Sequence, residues 1–445
     1  MGNRLLIIGG VAAGAKAAAV ARRRDPSASI VLVHDERDIS YSACGLPYWI
    51  SQHEDIARHR LIARTPEAFA RDGIEVRTAQ QVEALDPGRA TARIRDHATG
   101  RSYDESYDRV LLATGAQAIA LDVPRVGATP EVFYLRSIAD ADHVVQIVPA
   151  MQRVVIIGGG YIGLEMAEAL LLRGLKVSVV EMAPRVLPNF VEAIGASALA
   201  VLRQHGADVR TGRRVVGLDA GRVLLDDGTA LAADGVLAAM GVRPRTQLAT
   251  SAGAALGPTG AIAVDAGMAT SVAQVYAAGD CAETRHWLTN APIWIPLGDV
   301  ANRQARVAAI NMTGGNAVFP GVLGTAIFRV FELAVARTGL SHAQALAAGF
   351  DPVTELIEAP SRARYMRGSR MLKVVLTVQR GSGRVLGAEV SGDDAVDKTV
   401  DILATAIRGQ LHASDLAELD LAYAPPFSPV LAPVQLAGDV LDKKC

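Results

Sequence analysis

An α/β fold built around two successive βαβ units of parallel sheet is predicted for this chain of 445 residues. Two stretches carry the prediction. Each runs from a short apolar strand through a glycine-rich turn into a helix, then to a second strand that ends beside an acidic residue. Each is also followed by a further strand that runs into a glycine turn, so the order of motifs repeats. The length agrees, since a chain of this size outgrows a single hydrophobic core and divides into roughly two to four domains.

The first unit opens with RLLII, residues 4 to 8, an apolar run typical of a buried parallel strand. GGVAAGAKAAAVARRR follows, with Gly9, Gly10 and Gly14 in the turn and Val11 where G-x-G-x-x-G has its second glycine. A helix N-terminus behind such a turn presents free N–H groups and a positive dipole end to a pyrophosphate. The next strand, SIVLV, ends at Val33. An acid that grips a ribose is expected about twenty positions beyond the last glycine. Counting from Gly14 reaches His34, then Asp35 and Glu36. Asp35 or Glu36 is the expected ribose contact, with His34 as a further participant.

The second unit is intact. VVII leads into Gly158, Gly160 and Gly163, a helix to Arg173 is capped by Gly174, and KVSVV ends on Glu181. Glu181 lies 18 positions after Gly163, where a carboxylate meets a 2′-hydroxyl and repels a 2′-phosphate. NADH is therefore the expected nucleotide, with NADPH left open because Arg185 is close by. Downstream, YDRVLLATGA places Ala113, Thr114 and Gly115 at the end of one strand, and DGVLAAMGVRPR places Gly241 at the end of another. VYAAGDCAE, residues 275 to 283, is a third strand ending in a Gly-Asp turn at Asp280.

Composition excludes several alternatives. Lys plus Arg number 45 and Asp plus Glu 46, a net charge of −1 that offers no field to nucleic acid or an anionic membrane surface. The longest apolar runs are broken by glycine and polar residues and fall short of a membrane span. Cysteines occur only at 44, 281 and 445, too far apart and too few for a disulfide framework or a zinc site, so no metal is expected. The N-terminus enters a strand pattern without a charged leader, which makes a cytoplasmic protein the expectation.

Taken together, the two fingerprints, the repeated strand-to-glycine motifs and the Gly-Asp turn make the chain resemble the FAD-dependent pyridine nucleotide-disulfide oxidoreductases. The resemblance implies two Rossmann-like dinucleotide-binding domains plus a C-terminal α+β dimerisation domain. It assigns residues 1–120 and 246–322 to FAD, 121–245 to NAD(P) and 323–445 to dimerisation, and it gives Asp280 the flavin ribityl chain. Members with two active cysteines carry C-x-x-x-x-C, whereas the residue five after Cys44 is Trp49. SYSACGLPY instead resembles the single-cysteine branch, with Ser40, Tyr41 and Cys44 in its pattern and Ser42 beside them. Oxidase and peroxidase members carry a histidine before the last glycine of the first fingerprint, where this chain has Ala13. LDLAYAPPFSPV, residues 419 to 430, and RARYMRGSRMLKV are similar to two tyrosine segments of coenzyme A disulfide reductases and single out Tyr423 and Tyr365. Met366, Arg367 and Ala432 depart from that group at the substrate mouth.

What the resemblance implies is a homodimeric reductase of coenzyme A disulfide, or of a related low-molecular-weight disulfide or persulfide. Cys44 would form a mixed disulfide with the substrate thiol, because a lone cysteine suffices when the substrate supplies the second sulfur. Tyr365 and Tyr423 from the neighbouring subunit would protonate the leaving sulfur. Ser40, Ser42, Arg22 and Arg23 are the expected substrate contacts, the arginines meeting the phosphates of coenzyme A. Two other readings compete. One is an NADH oxidase or peroxidase working through a Cys44 sulfenic acid, against which Ala13 argues. The other is a non-catalytic flavoprotein whose cysteine only packs.

Overall fold

The computed structural model describes residues 3–52 and 56–445. Two parallel sheets of five strands each are built on one plan. In the first, strands run in the order Ile74–Arg77, Ser29–Val33, Arg4–Ile8, Arg109–Leu112, Val275–Ala277. In the second the order is Asp208–Thr211, Lys176–Glu181, Arg153–Ile157, Gly235–Ala238, Glu131–Phe133. Each also inserts a three-stranded antiparallel sheet, residues 80–106 between Ile74–Arg77 and Arg109–Leu112, and residues 215–232 between Asp208–Thr211 and Gly235–Ala238. The apolar runs are the central strands, and Leu5 to Ile8 and Val154 to Ile157 are all buried. Covering a parallel sheet on both faces requires such continuous apolar strands rather than alternating ones.

The chain leaves the first sheet after Leu112, builds the second, and returns at Val275–Ala277, which pairs with Arg109–Leu112. Val242–Pro244 pairs with Ala116–Ala118, so the outgoing and returning segments run side by side. Helix Gly298–Met312 then packs on the alanine-rich helix Ala12–Arg24. Ala17, Ala18 and Ala21 are fully buried there, and small side chains allow the two backbones to approach closely.

The C-terminal region is a five-stranded antiparallel sheet in the order Ala326–Val330, Leu333–Gly339, Val385–Gly392, Met371–Gln379, Pro352–Pro360. Val374, Leu376 and Val390 pack against Val400, Leu403, Val434 and Leu441 of its own helices. Val335 and Val375 join the core of the second unit instead, so the sheet is covered on both faces. Three charged side chains reinforce that junction. Glu389 accepts from the Val191 N–H at 2.7 Å, Lys373 donates to Ser197 Oγ at 2.9 Å, and Arg337 donates to the Asn189 carbonyl at 3.2 Å. Among the described residues no helix is long and apolar enough to cross a membrane.

Gly9 has no room for a side chain. Its φ is +105°, and a Cβ there would lie 2.0 Å from the Ala113 carbonyl oxygen. A Gly9→Ala variant combines a disfavoured backbone with a backbone clash, for a cost of about 2 kcal/mol or more. Chemical denaturation should show this loss, whereas Gly100→Ala, with nothing within 4 Å of its would-be Cβ and only the positive-φ cost, should lose less.

Candidate active site

Both glycine turns have one geometry. Gly9 N–H donates to the Val33 carbonyl and Gly158 N–H to the Val180 carbonyl, each at 2.8 Å. A Cβ on Gly14 would lie 1.7 Å from the Gly9 oxygen, and one on Gly163 would lie 2.0 Å from the Gly158 oxygen. Only glycine lets the helix start so close to the strand, which points its free N–H groups over the turn. A Cβ on Gly160 would meet nothing within 4 Å, so the space above the second turn is open. At position 11 of the first turn stands Val11, half-buried and packed against the core that includes Tyr41, Leu46 and Ile50. The cradles fit the pyrophosphates of FAD and of a nicotinamide dinucleotide.

The ends of the second strands differ. Glu181 accepts from Gly159 N–H and Ala183 N–H, both at 2.7 Å, so its carboxylate is fixed at the rim of the second turn. Strand register puts His34, not Asp35, in the matching place of the first unit. His34 is 5% exposed, and its Nδ1 accepts from Gly10 N–H at 3.2 Å. Asp35 is exposed and ion-paired with Arg245 at 3.3 Å, and Glu36 accepts from the Tyr41 hydroxyl at 2.8 Å. Register thus brings the buried His34 to the place that Glu181 holds in the second unit, while Asp35 and Glu36, the expected ribose contacts, stand beside it.

Several expected residues gather between the sheets. Asp280 pairs with Arg136, a residue that carried no signal in the sequence because its partner is 144 positions away. Trp294 Nε1 donates to the Asp280 carbonyl at 2.9 Å, and Thr114 Oγ1 donates to the Arg245 carbonyl at 2.7 Å. Gly115 and Gly241, at φ +71° and +103°, turn the chain at the ends of their strands. Cys281 is buried, with its Sγ 3.4 Å from the Leu112 and Ala278 carbonyls, and burial pushes its thiol up. It is a packed neighbour of Asp280.

Cys44 has the opposite character. It sits in a short 3-10 turn, Ala43–Gly45, that flows into helix Leu46–Ser51, and its residue is exposed. The loop is pinned at Ser40, whose φ is +50°: Ser40 N–H donates to the Gly10 carbonyl and accepts Ala63 N–H on its own carbonyl, each at 2.8 Å. Ser42 N–H donates to the Leu61 carbonyl at 2.8 Å. A Cβ on Gly45 would lie 2.6 Å from Leu61 Cδ2, so a side chain in place of the glycine in ACGLP would push the Leu61 methyl aside. Packing beneath the sulfur pushes the Cys44 thiol above its ordinary value, Glu165 and Asp280 push the same way, and Arg136 opposes them.

Glu165 was not legible in the sequence as a site residue. It stands two residues after Gly163 on helix Tyr161–Leu172 and lines a cavity with Pro47, Tyr48, Ser51, Glu168 and Arg329. Burial, then Glu168, pushes its carboxyl up to about 7. Only the packing of that helix on Leu46–Ser51 reveals it.

Two expectations about substrate contacts part company. Arg22 donates to the Pro26 and Ala28 carbonyls at 2.8 Å and to the Gly73 carbonyl at 2.7 Å. Its fork closes the end of helix Ala12–Arg24, which corrects its assignment to the substrate. Arg23 remains exposed. Tyr365 and Tyr423 are 78% and 51% exposed, and their loops are tied together where Ala363 N–H donates to the Pro425 carbonyl at 3.2 Å.

Two outcomes follow from Glu165. A carboxyl raised in the folded state favours folding while it is protonated, and that contribution is lost as pH rises from the ordinary 4.5 through about 7. Glu165→Gln should therefore flatten the fall of thermal stability across that window. It should also shift the pH midpoint of Cys44 alkylation by iodoacetamide downwards, because it removes a negative charge that opposes the thiolate.

A family model described as pyridine nucleotide-disulphide oxidoreductase matches residues 3–307, and one described as the dimerisation domain of that family matches residues 325–433. An NAD(P)H sulfur oxidoreductase (CoA-dependent) of Pyrococcus furiosus is 34% identical over 99% of both chains. An NADH oxidase of Methanocaldococcus jannaschii is 33% identical, again over 99% of both. The solved structure of an NAD-dependent persulfide reductase from A. fulgidus superposes with a TM-score of 0.94 at 37% identity, covering 99% of this chain and 83% of that one. With the paired glycine turns, the exposed cysteine and the C-terminal sheet, these likenesses place the chain among the pyridine nucleotide-disulphide oxidoreductases.

Proposed function

We propose that this oxidoreductase uses NADH to reduce coenzyme A disulfide, or a related low-molecular-weight disulfide or persulfide, through the single cysteine Cys44. The observation that carries the reading is the Cys44 loop. An exposed thiol stands four residues after Ser40, whose N–H donates to the Gly10 carbonyl of the first nucleotide turn, while the other two cysteines are buried or at the chain end. The names of the Pyrococcus and A. fulgidus relatives support sulfur chemistry with a thiol carrier.

The overall reaction is RSSR + NADH + H⁺ → 2 RSH + NAD⁺. FAD, when bound at the first unit, supplies the two-electron link between nicotinamide and disulfide. Gly9 and Gly14 hold its pyrophosphate, Ala113, Thr114 and Gly115 line the adjoining strand end, and Asp280, oriented by Arg136, meets its ribityl chain. Gly158, Gly160 and Gly163 receive the nicotinamide dinucleotide, with Gly241 at the neighbouring turn. Glu181 favours NADH, because its fixed carboxylate would face a 2′-phosphate. Cys44 Sγ attacks one substrate sulfur, the S–S bond breaks, and RS⁻ leaves as the Cys44 mixed disulfide forms. Two electrons then cleave that disulfide, restoring the thiolate and releasing the second thiol. Tyr365 and Tyr423 donate protons to the leaving sulfurs.

Those tyrosines are exposed in the single chain, alongside Met371, Phe427, Val430 and Leu431. An apolar face of that kind belongs against a partner, and a second copy docked through the C-terminal sheet would bring the tyrosines to the other subunit's Cys44. Ser40, Ser42 and Arg23 then line the entrance for a phosphate-bearing thiol.

The test is anaerobic reduction with NADH followed by turnover with coenzyme A disulfide. Thiol release that disappears in Cys44→Ser supports the reading. Oxygen uptake without thiol release would replace it with the oxidase reading, to which the M. jannaschii relative lends its name and against which Ala13 stands. Tyr423→Phe should lower thiol release about 10²-fold, the usual worth of a positioned general acid.

A further inference from the structure

The two units share one strand order, and at the rim of their glycine turns they differ in one side chain. Gly10 and Gly159 are equivalent: a Cβ on Gly10 would lie 3.0 Å from His34 Cγ, and one on Gly159 would lie 3.2 Å from Glu181 Cβ. Glu181 receives the Gly159 N–H on a carboxylate oxygen. His34 receives the Gly10 N–H on Nδ1. An imidazole accepts on Nδ1 only when neutral, which leaves its proton on Nε2. That Nε2 is buried and has no hydrogen-bond partner within the protein. It is a buried donor whose nearby carboxylate, Glu36 Oε2, stands 3.8 Å away, beyond hydrogen-bond distance.

Nδ1 has a second neighbour. Asp35 Oδ1 lies 3.3 Å away, almost as close as the Gly10 nitrogen. The neutral ring satisfies Gly10 and faces Asp35 with a lone pair. The protonated ring satisfies Asp35 and faces the Gly10 N–H with another N–H. One nitrogen thus has two partners that suit opposite protonation states.

Resting on the reading that the first unit holds FAD, we propose that His34 makes flavin retention pH-sensitive. As a neutral imidazole it orders the Gly10 turn and offers Nε2–H to the adenosine ribose; on protonation it turns Nδ1–H to Asp35, repels the Gly10 N–H and loosens the turn that cradles the pyrophosphate. The charged groups around it are Asp35 and Asp38, which favour protonation, Arg245, which opposes it, and Glu36, whose Oε2 lies 3.8 Å from Nε2 and is engaged by the Tyr41 hydroxyl. Arg77, on the neighbouring strand, is taken up by Glu75 and Glu105. Burial is the largest influence and holds the imidazole below its ordinary 6.5. The neutral state is therefore fully favoured above that value, and its contribution is lost as pH falls through the lowered one.

The experiment is an acid titration of the flavin-loaded protein from pH 7.5, reading the fluorescence of released flavin and far-UV circular dichroism together. The parent should release flavin before its secondary structure is lost. His34→Glu, which puts in place of the imidazole the group that holds Gly159 in the second unit, should release it about one pH unit lower. Asp35→Asn, which removes the protonated ring's partner while leaving His34, should shift release in the same direction. Release at the parent's pH in both variants would overturn the proposal, as would release that coincides with unfolding in all three. If His34→Glu does not fold, Asp35→Asn alone decides. A flavin that stays bound without pH sensitivity would sink this inference and leave the disulfide-reductase reading standing; a protein that takes up no flavin would sink both.

Discussion

The rest of the structure depends on how closely strand and helix backbones approach at the glycine turns. At both turns, the carbonyl of the first glycine sits where a Cβ of the last would be, and a carbonyl just past the neighbouring parallel strand, that of Ala113 or Ala239, sits where a Cβ of the first would be. No side chain fits between them. That contact sets the start of the helix, hence the direction of its free N–H groups, and it fixes the register of three adjacent strands at once. The same plan is used twice along the chain, down to the inserted antiparallel sheet of each unit.

What the two units do with that plan diverges at a single peptide group. The carbonyl of Gly159 accepts Leu187 N–H, which anchors a loop within the second unit. The carbonyl of Gly10 accepts Ser40 N–H, and Ser40 begins the segment that carries Cys44. The cysteine is thereby indexed to the first nucleotide turn across one hydrogen bond, one strained serine and a glycine packed on Leu61. Strain at Ser40 is the kind of local cost that persists when the surroundings over-determine a conformation needed for function.

Much of this was legible in the sequence because it is local. Apolar runs mark buried parallel strands, glycine spacing marks the turns, and the isolation of Cys44 marks it as something other than a disulfide half. The legible part ends where side chains meet across long separations. Arg136 and Asp280 are far apart in the chain, and nothing in LRSIAD announces that pairing. Arg22 and Arg23 are neighbours in an RRR run, yet one closes its helix on three carbonyls and the other faces solvent, a difference that depends on where the helix ends relative to Gly73. His34 was reached by counting, but counting alone does not choose between it and Asp35. Strand register does, because the residue after Val33 turns inward and the next turns out.

The C-terminal sheet adds a constraint that the nucleotide units could not supply for themselves. One face is filled by its own helices, and the other grips helix Glu192–Gln204 of the second unit through Glu389, Lys373 and Arg337. Glu389 is 4% exposed, and burial pushes its carboxyl up while the Val191 N–H and two arginines, Arg337 and Arg185, hold it down. Phe331, at the turn joining the first two strands of the sheet, donates its N–H to Glu168 at 2.8 Å, on the helix that also carries Glu165. The helix beside the cysteine is therefore held from two sides, by Leu46–Ser51 and by the C-terminal sheet. The cavity lined by Glu165, Pro47 and Tyr48 is braced by the C-terminal sheet as well, because Arg329 of its first strand also lines it. The C-terminal sheet thus takes part in positioning the helix that carries Glu165.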